Sequence, residues 1–121
     1  SKAQAEQEQR RQWLGRAESH YRRALALDPL HSESLYALAV LYVFELERPQ
    51  EAEALLVRLL EREKKNSDAL FLLGNVYYGA GRLEEALGLY RRLEGLGLPE
   101  DRRRQAEENI KTIEEELHGS R

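Results

Sequence analysis

The side chains that could do chemistry are few: three histidines (His20, His31 and His118), paired glutamates and one glycine-containing tetrapeptide, in a chain without cysteine. None of the histidines has a second ligand three or four residues on in an apolar setting, and neither His-x-x-x-His nor His-x-x-Glu-His occurs. Glu84–Glu85, Glu107–Glu108 and Glu114 to Glu116 could act as acid and base if burial pushed their pKa values apart. They fall instead on polar helix faces, several of them four residues from an arginine or lysine, where they solubilise a helix. GAGR, Gly79 to Arg82, has no strand before it and no lysine-serine after it, so it reads as a turn between helices and not as a phosphate loop. The expectation is a protein with no catalytic, metal-binding or cofactor-binding residues, and not an enzyme.

The elements that would position any site are helices. Leu, Ala, Glu and Arg dominate the 121 residues while Val, Ile and Thr are scarce. A chain of this length builds about one core. With no cysteine there are no disulfides, and the net charge of −3 provides no positive field for nucleic acid. The basic stretches at Arg10–Arg11, Arg22–Arg23, Lys64–Lys65 and Arg102 to Arg104 are each bordered by acids and read as solvated helix faces. No apolar run approaches the roughly 20 residues that span a bilayer, and the N-terminus is unlike a signal sequence, so membrane insertion is not expected. Localisation is left open, with a soluble cytoplasmic protein favoured over a periplasmic one. The start at Ser1 without a methionine anywhere reads as a processed chain or a fragment of a longer one.

From Ala3 to Leu27 only Gly15 interrupts strong helix formers, and the apolar stripe begins at Trp13 and runs through Leu14, Ala17, Tyr21, Ala24, Leu25 and Leu27. The first dozen residues are polar all round. A second helix, Glu33 to Phe44 with Ser32 as its N-cap, carries Leu35, Leu38, Ala39 and Tyr42. Pro49 suits the first turn of a third, whose buried stripe is Ala52, Leu55, Leu56, Leu59 and Leu60. The stretch Ser67 to Pro99 gives two more helices, with Leu70, Leu73, Gly74 and Tyr77 on one and Leu83, Ala86, Leu87, Tyr90 and Leu93 on the other. A last helix from about Pro99 to Leu117 carries a narrow stripe of Ala106, Ile110, Ile113 and Leu117, and the tail HGSR has no pattern and is expected to be disordered.

The recurring Leu, small residue and tyrosine of one helix, with small and aromatic residues on the next, resemble the tetratricopeptide repeat, or TPR, a helix-turn-helix unit of about 34 residues. The resemblance covers Ala17 to Pro99. It is specific in the last repeat and poor at the start, where AQAEQEQRRQ replaces a first helix although Ala17, Tyr21, Ala24, Leu27, Asp28 and Pro29 match a second helix and its ending. Between the two full repeats the first-helix residues are offset by 35 positions, Leu38 to Leu73, and the additional residue is expected in the turn, where FELERPQEA is longer than YGAGRLEEA. The implied fold is all-α: antiparallel helix hairpins stacked as a short right-handed TPR-like superhelix with a C-terminal capping helix. Residues 1–121 form one TPR-like domain: 1–31 an N-terminal helix with a degenerate first repeat, 32–66 and 67–98 repeats, 99–117 the cap and 118–121 the tail.

In that family the first helix of each repeat lines a concave groove. Carried over by position, the groove residues are Glu33, Tyr36, Val40 and Phe44, with Val43, in the middle repeat, and Asp68, Phe71, Asn75 and Tyr78, with Gly79, in the last. LYALAVLYVF, Leu35 to Phe44, is apolar on every side and must be covered on every side. Three coverings compete for Tyr36, Val40 and Phe44: the N-terminal helix, a partner peptide or helix, or a second copy of the chain. Some family members clamp a C-terminal carboxylate with lysine, arginine and asparagine. Asn75 matches one asparagine of that clamp, but Phe71 stands where the lysine is expected, so an apolar or aromatic anchor suits this groove better. The resemblance thus implies a non-catalytic protein-interaction scaffold or adaptor. The alternative is a self-associating structural or spacer domain of a larger protein.

Overall fold

A computed structural model describes residues 1–119, and among them every regular element is helical. These elements are α1 (Lys2–Leu27), α2 (Ser32–Val40) continued by a π-helical turn (Leu41–Glu45), α3 (Pro49–Arg62), α4 (Ser67–Gly79), α5 (Leu83–Glu94) and α6 (Glu100–Gly119). The chain folds as two compact units, one up to Leu59 and one from Leu60 on.

In the first unit α1 is one helix through Gly15, and Ser1 and Gln4 close its start as a reciprocal capping box. Its first twelve residues are all exposed, while Leu14 and Leu25 are buried and α1 packs along α2. A polar cluster adds to this packing. Glu18 of α1, held in place by Arg22 Nε at 3.1 Å, accepts the Tyr42 hydroxyl at 2.7 Å and Arg48 Nη2 at 3.0 Å. The Tyr42 hydroxyl, then the two guanidiniums, hold the Glu18 carboxyl below the usual carboxylate range against the opposing effect of burial. Burial, then the Glu18 charge, pushes the Tyr42 hydroxyl up, so it remains a donor.

The second unit is built on α4, α5 and α6. α4 packs against α5 and α5 against α6, with Ala86, Tyr90, Leu93, Ala106 and Ile113 at 2% exposure or less. A Cβ placed on Gly74 would lie 2.7 Å from two ring carbons of Tyr90, so glycine here is what lets α4 approach α5.

Helix starts and hairpin ends follow one register in both repeats. Ser32 is the first residue of α2 and not its cap: the N-cap is His31, whose Nδ1 accepts from the Ser34 amide at 3.3 Å. Asn66 holds the same place in α4, accepting from Ala69 N at 3.0 Å, because a side-chain acceptor one residue earlier reaches the orphan amide. At the hairpin ends, Arg82 N donates to Tyr77 O at 2.9 Å and Gly81 takes the left-handed conformation at φ 77°. In the preceding repeat Arg48 N donates to Tyr42 O at 2.8 Å and Glu47 takes the same conformation at φ 52°. Each arginine stacks over the same tyrosine whose carbonyl it uses, at 4.8 Å for Arg48 on Tyr42 and 4.2 Å for Arg82 on Tyr77, and each pairs with a glutamate three residues on.

The additional residue of the middle repeat is therefore not in the turn. It lies in the last turn of the helix, which widens to π form with Leu46 N bonded to Leu41 O at 2.9 Å. A bond spanning five residues absorbs one insertion and leaves the arginine, the tyrosine and the following helix in register. At the other end of the chain, α6 runs through His118 and Gly119, two residues of the expected tail, and Ser120 and Arg121 lie outside the described residues.

A non-glycine residue at positive φ costs about 1 kcal/mol, so Glu47→Gly should stabilise the protein by that order in urea denaturation, and Gly81→Glu should destabilise it. Because Glu18 is held ionised, its contribution is present above the unfolded carboxylate pKa of about 4.3 and is lost as pH falls through the lower folded value. Glu18→Gln should then cost about 1 kcal/mol at pH 7, and the gap between variant and parent should close below about pH 4.

Candidate functional site

The groove residues expected on α4 share one stripe at steps of three and four, and α6 supplies their neighbours. At the N-terminal end Asp68 pairs with Arg102 at 3.0 Å, and the same guanidinium lies 4.8 Å over the half-buried Phe71 ring. Phe71 in turn meets Tyr90 of α5 with ring centroids 6.2 Å apart. At the C-terminal end the Tyr78 hydroxyl donates to Glu116. Between these two clasps lies a cleft of about 260 Å³ lined by Asn75, Tyr78, Tyr90, Asn109, Thr112 and Ile113.

The chemistry of this cleft is neutral. Tyr90, on α5, donates its hydroxyl to Asn75 Oδ1 at 2.5 Å, and burial pushes that hydroxyl up to about 12, so it stays protonated. The nearly buried Ile113 also lines it, and Asn75, Asn109 and Thr112 add amide and hydroxyl groups. None of the six lining residues is charged at neutral pH, and their amide and hydroxyl groups can both donate and accept hydrogen bonds.

In the first unit Glu33 is exposed in the first turn of α2, Tyr36, Val40 and Val43 are half-buried, and Phe44 is 62% exposed. Helix α1 does not cover Phe44. Its side-chain contacts reach the other side of the helix, where Arg10 pairs with Glu45 and Glu18 meets Tyr42. Tyr36, Val40 and Phe44 thus keep a common stripe with one large ring in solvent.

The α6 side of the cleft was not anticipated from sequence, which assigned α6 only the covering of a last apolar face. A signal was present: Arg102, Asn109, Thr112 and Glu116 recur at steps of three, four and seven that share one helix side, next to the apolar stripe of Ala106, Ile110 and Ile113. Among the described residues no group of three or more His, Asp or Glu side chains could hold a metal ion, and no helix is long and apolar enough to cross a membrane.

Comparison with known families places the matching segment over both hairpins and most of α1, ending at Glu94 before α6. No curated protein matches the sequence. TPR-like domains generally mediate protein interactions and are generally not catalysts, which points to an interaction or scaffold role. With residues 5–94 matched, the chain belongs to the family of the middle TPR-like domain of cilia and flagella-associated protein 70.

Proposed function

We propose that this domain, residues 1–121, is a non-catalytic scaffold or adaptor that holds a peptide or helix of a partner protein on the inner faces of its repeats. The observation that carries the reading is the cleft between α4 and α6, where a buried tyrosine and an isoleucine lie among uncharged amide and hydroxyl groups. Such a surface takes an apolar or aromatic anchor and satisfies the backbone around it. Asn75 and Tyr78 would meet the ligand from the cleft lining, while Asp68 and Phe71 hold Arg102 of α6. On α2 the stripe of Tyr36, Val40 and the exposed Phe44, with Glu33 at its start, offers a second apolar contact of the same kind.

The test is selection of binders from a random library of short peptides, against the protein and against its Asn109→Arg, Thr112→Arg variant. Both substituted positions lie on the cleft wall, and circular dichroism would check that the variant folds. Peptides with large aliphatic or aromatic anchors should be enriched, and filling the cleft should weaken them at least about tenfold, a loss of about 1.4 kcal/mol. Enriched peptides that bind the variant equally well would contradict the reading. A concentration-dependent dimer that competes with those peptides in light scattering would favour the self-associating alternative.

A further inference from the structure

The second helices of the hairpins share a register that extends to α1. Ala52, Leu56 and Leu59 of α3 correspond to Ala86, Tyr90 and Leu93 of α5, and all six are at 2% exposure or less. Thirty-five residues before the α3 set, α1 carries Ala17, Tyr21 and Ala24. These three are only half-buried, and Trp13 extends their stripe at 65% exposure. In the second unit the matching stripe of α5 is closed by α4, with Gly74 against the Tyr90 ring. α1 has the face of a second helix, and among the described residues no first helix packs upon it.

An arginine repeats in the same register. Arg58 of α3 donates to Pro29 O at 3.3 Å, and Arg92 of α5 donates to Lys64 O at 2.9 Å. Both acceptors stand three residues before the first helix of the hairpin concerned, Ser32 of α2 and Ser67 of α4. Arg23 is the equivalent residue of α1, and among the described residues it has no hydrogen bond or ion pair. The exposed Arg16 lies beside the same stripe, with no ion-pair partner among the described residues.

We propose that the Trp13–Ala17–Tyr21–Ala24 face of α1 binds an amphipathic helix of another protein, antiparallel to α1, in the place that α4 takes on α5. The template states the occupant's chemistry: leucines at the contact, glycine or another small residue opposite Tyr21, and a free backbone carbonyl three residues before the helix to accept from Arg23. With the occupant antiparallel, an acidic residue at its N-terminal end complements Arg23 and one about two turns further on complements Arg16. A second copy of α1 laid antiparallel would bring those arginines against its own, which disfavours self-association through this face.

The chain supplies its own probe, a synthetic peptide of residues 64–80 that carries the α4 face and the Lys64 carbonyl. The protein's single tryptophan, Trp13, lies on the proposed face and reports binding directly. Adding the peptide to the full chain should shift Trp13 emission to the blue, saturably and one to one. Arg23→Ala should weaken binding about three- to tenfold. A Gly74→Leu change in the peptide alone should abolish it, as should Ala17→Arg in a chain whose circular dichroism is unchanged. No emission change up to about 1 mM peptide, or a shift insensitive to both Ala17→Arg and the Gly74→Leu peptide, would overturn the proposal. So would a shift with protein concentration alone, accompanied by dimers in sedimentation that Ala17→Arg dissolves, since that assigns the face to a second copy.

Discussion

The close approach of Gly74 to the Tyr90 ring is the contact on which the second unit depends. A side chain at Gly74 would meet the ring at 2.7 Å, so α4 and α5 approach as they do only because one position is empty and the other is large. The middle repeat solves the same packing with different volumes, placing Ala39 and Leu56 at the corresponding positions, both at 0% exposure. A bulkier pair would part the helices and a smaller pair would leave a cavity. Once a hairpin has this register, its remaining faces are determined: those that meet the neighbouring helix, and those left for a ligand.

Much of this was legible in the residues because burial on a helix has a period. Leu35, Leu38, Ala39, Tyr42, Leu70, Leu73, Gly74 and Tyr77 are all buried, as their three- and four-residue spacing implies. α1 runs unbroken through Gly15 because a lone glycine in a run of strong helix formers costs only about 1 kcal/mol. What the pattern did not show were features decided by single hydrogen bonds. The π turn at Leu41–Glu45 leaves the apolar spacing almost untouched, so only the 35-residue offset betrayed an insertion, and not its place. Likewise His31 and Asn66 each compete for the cap with a serine one residue later, and geometry decides between them.

The candidate site shows the same division. Asp68, Phe71, Asn75 and Tyr78 were named by position within a repeat; Asn75 and Tyr78 line the cleft, while Asp68 and Phe71 meet Arg102 of α6. The opposite wall comes from α6, beyond the segment that matches the family, and its polar residues look like any solvated helix face until a partner helix is placed beside them. Arg102 shows why: on sequence it belongs to a basic run, and in the fold it joins an aspartate to the face of a phenylalanine. Long-range pairing of that kind has no periodic signature.

One volume-matched pair sets each hairpin and thereby defines the faces that remain. A double-mutant cycle on Gly74→Ala and Tyr90→Leu, followed by urea denaturation, measures it directly. Gly74→Ala alone should destabilise by about 2 kcal/mol through overpacking. Combined with Tyr90→Leu, which installs the Ala39 and Leu56 pairing of the middle repeat, that cost should largely disappear, giving a coupling of more than about 1 kcal/mol. Strictly additive effects would contradict it, because they would mean that the glycine and the tyrosine do not determine each other and that the register rests on something else.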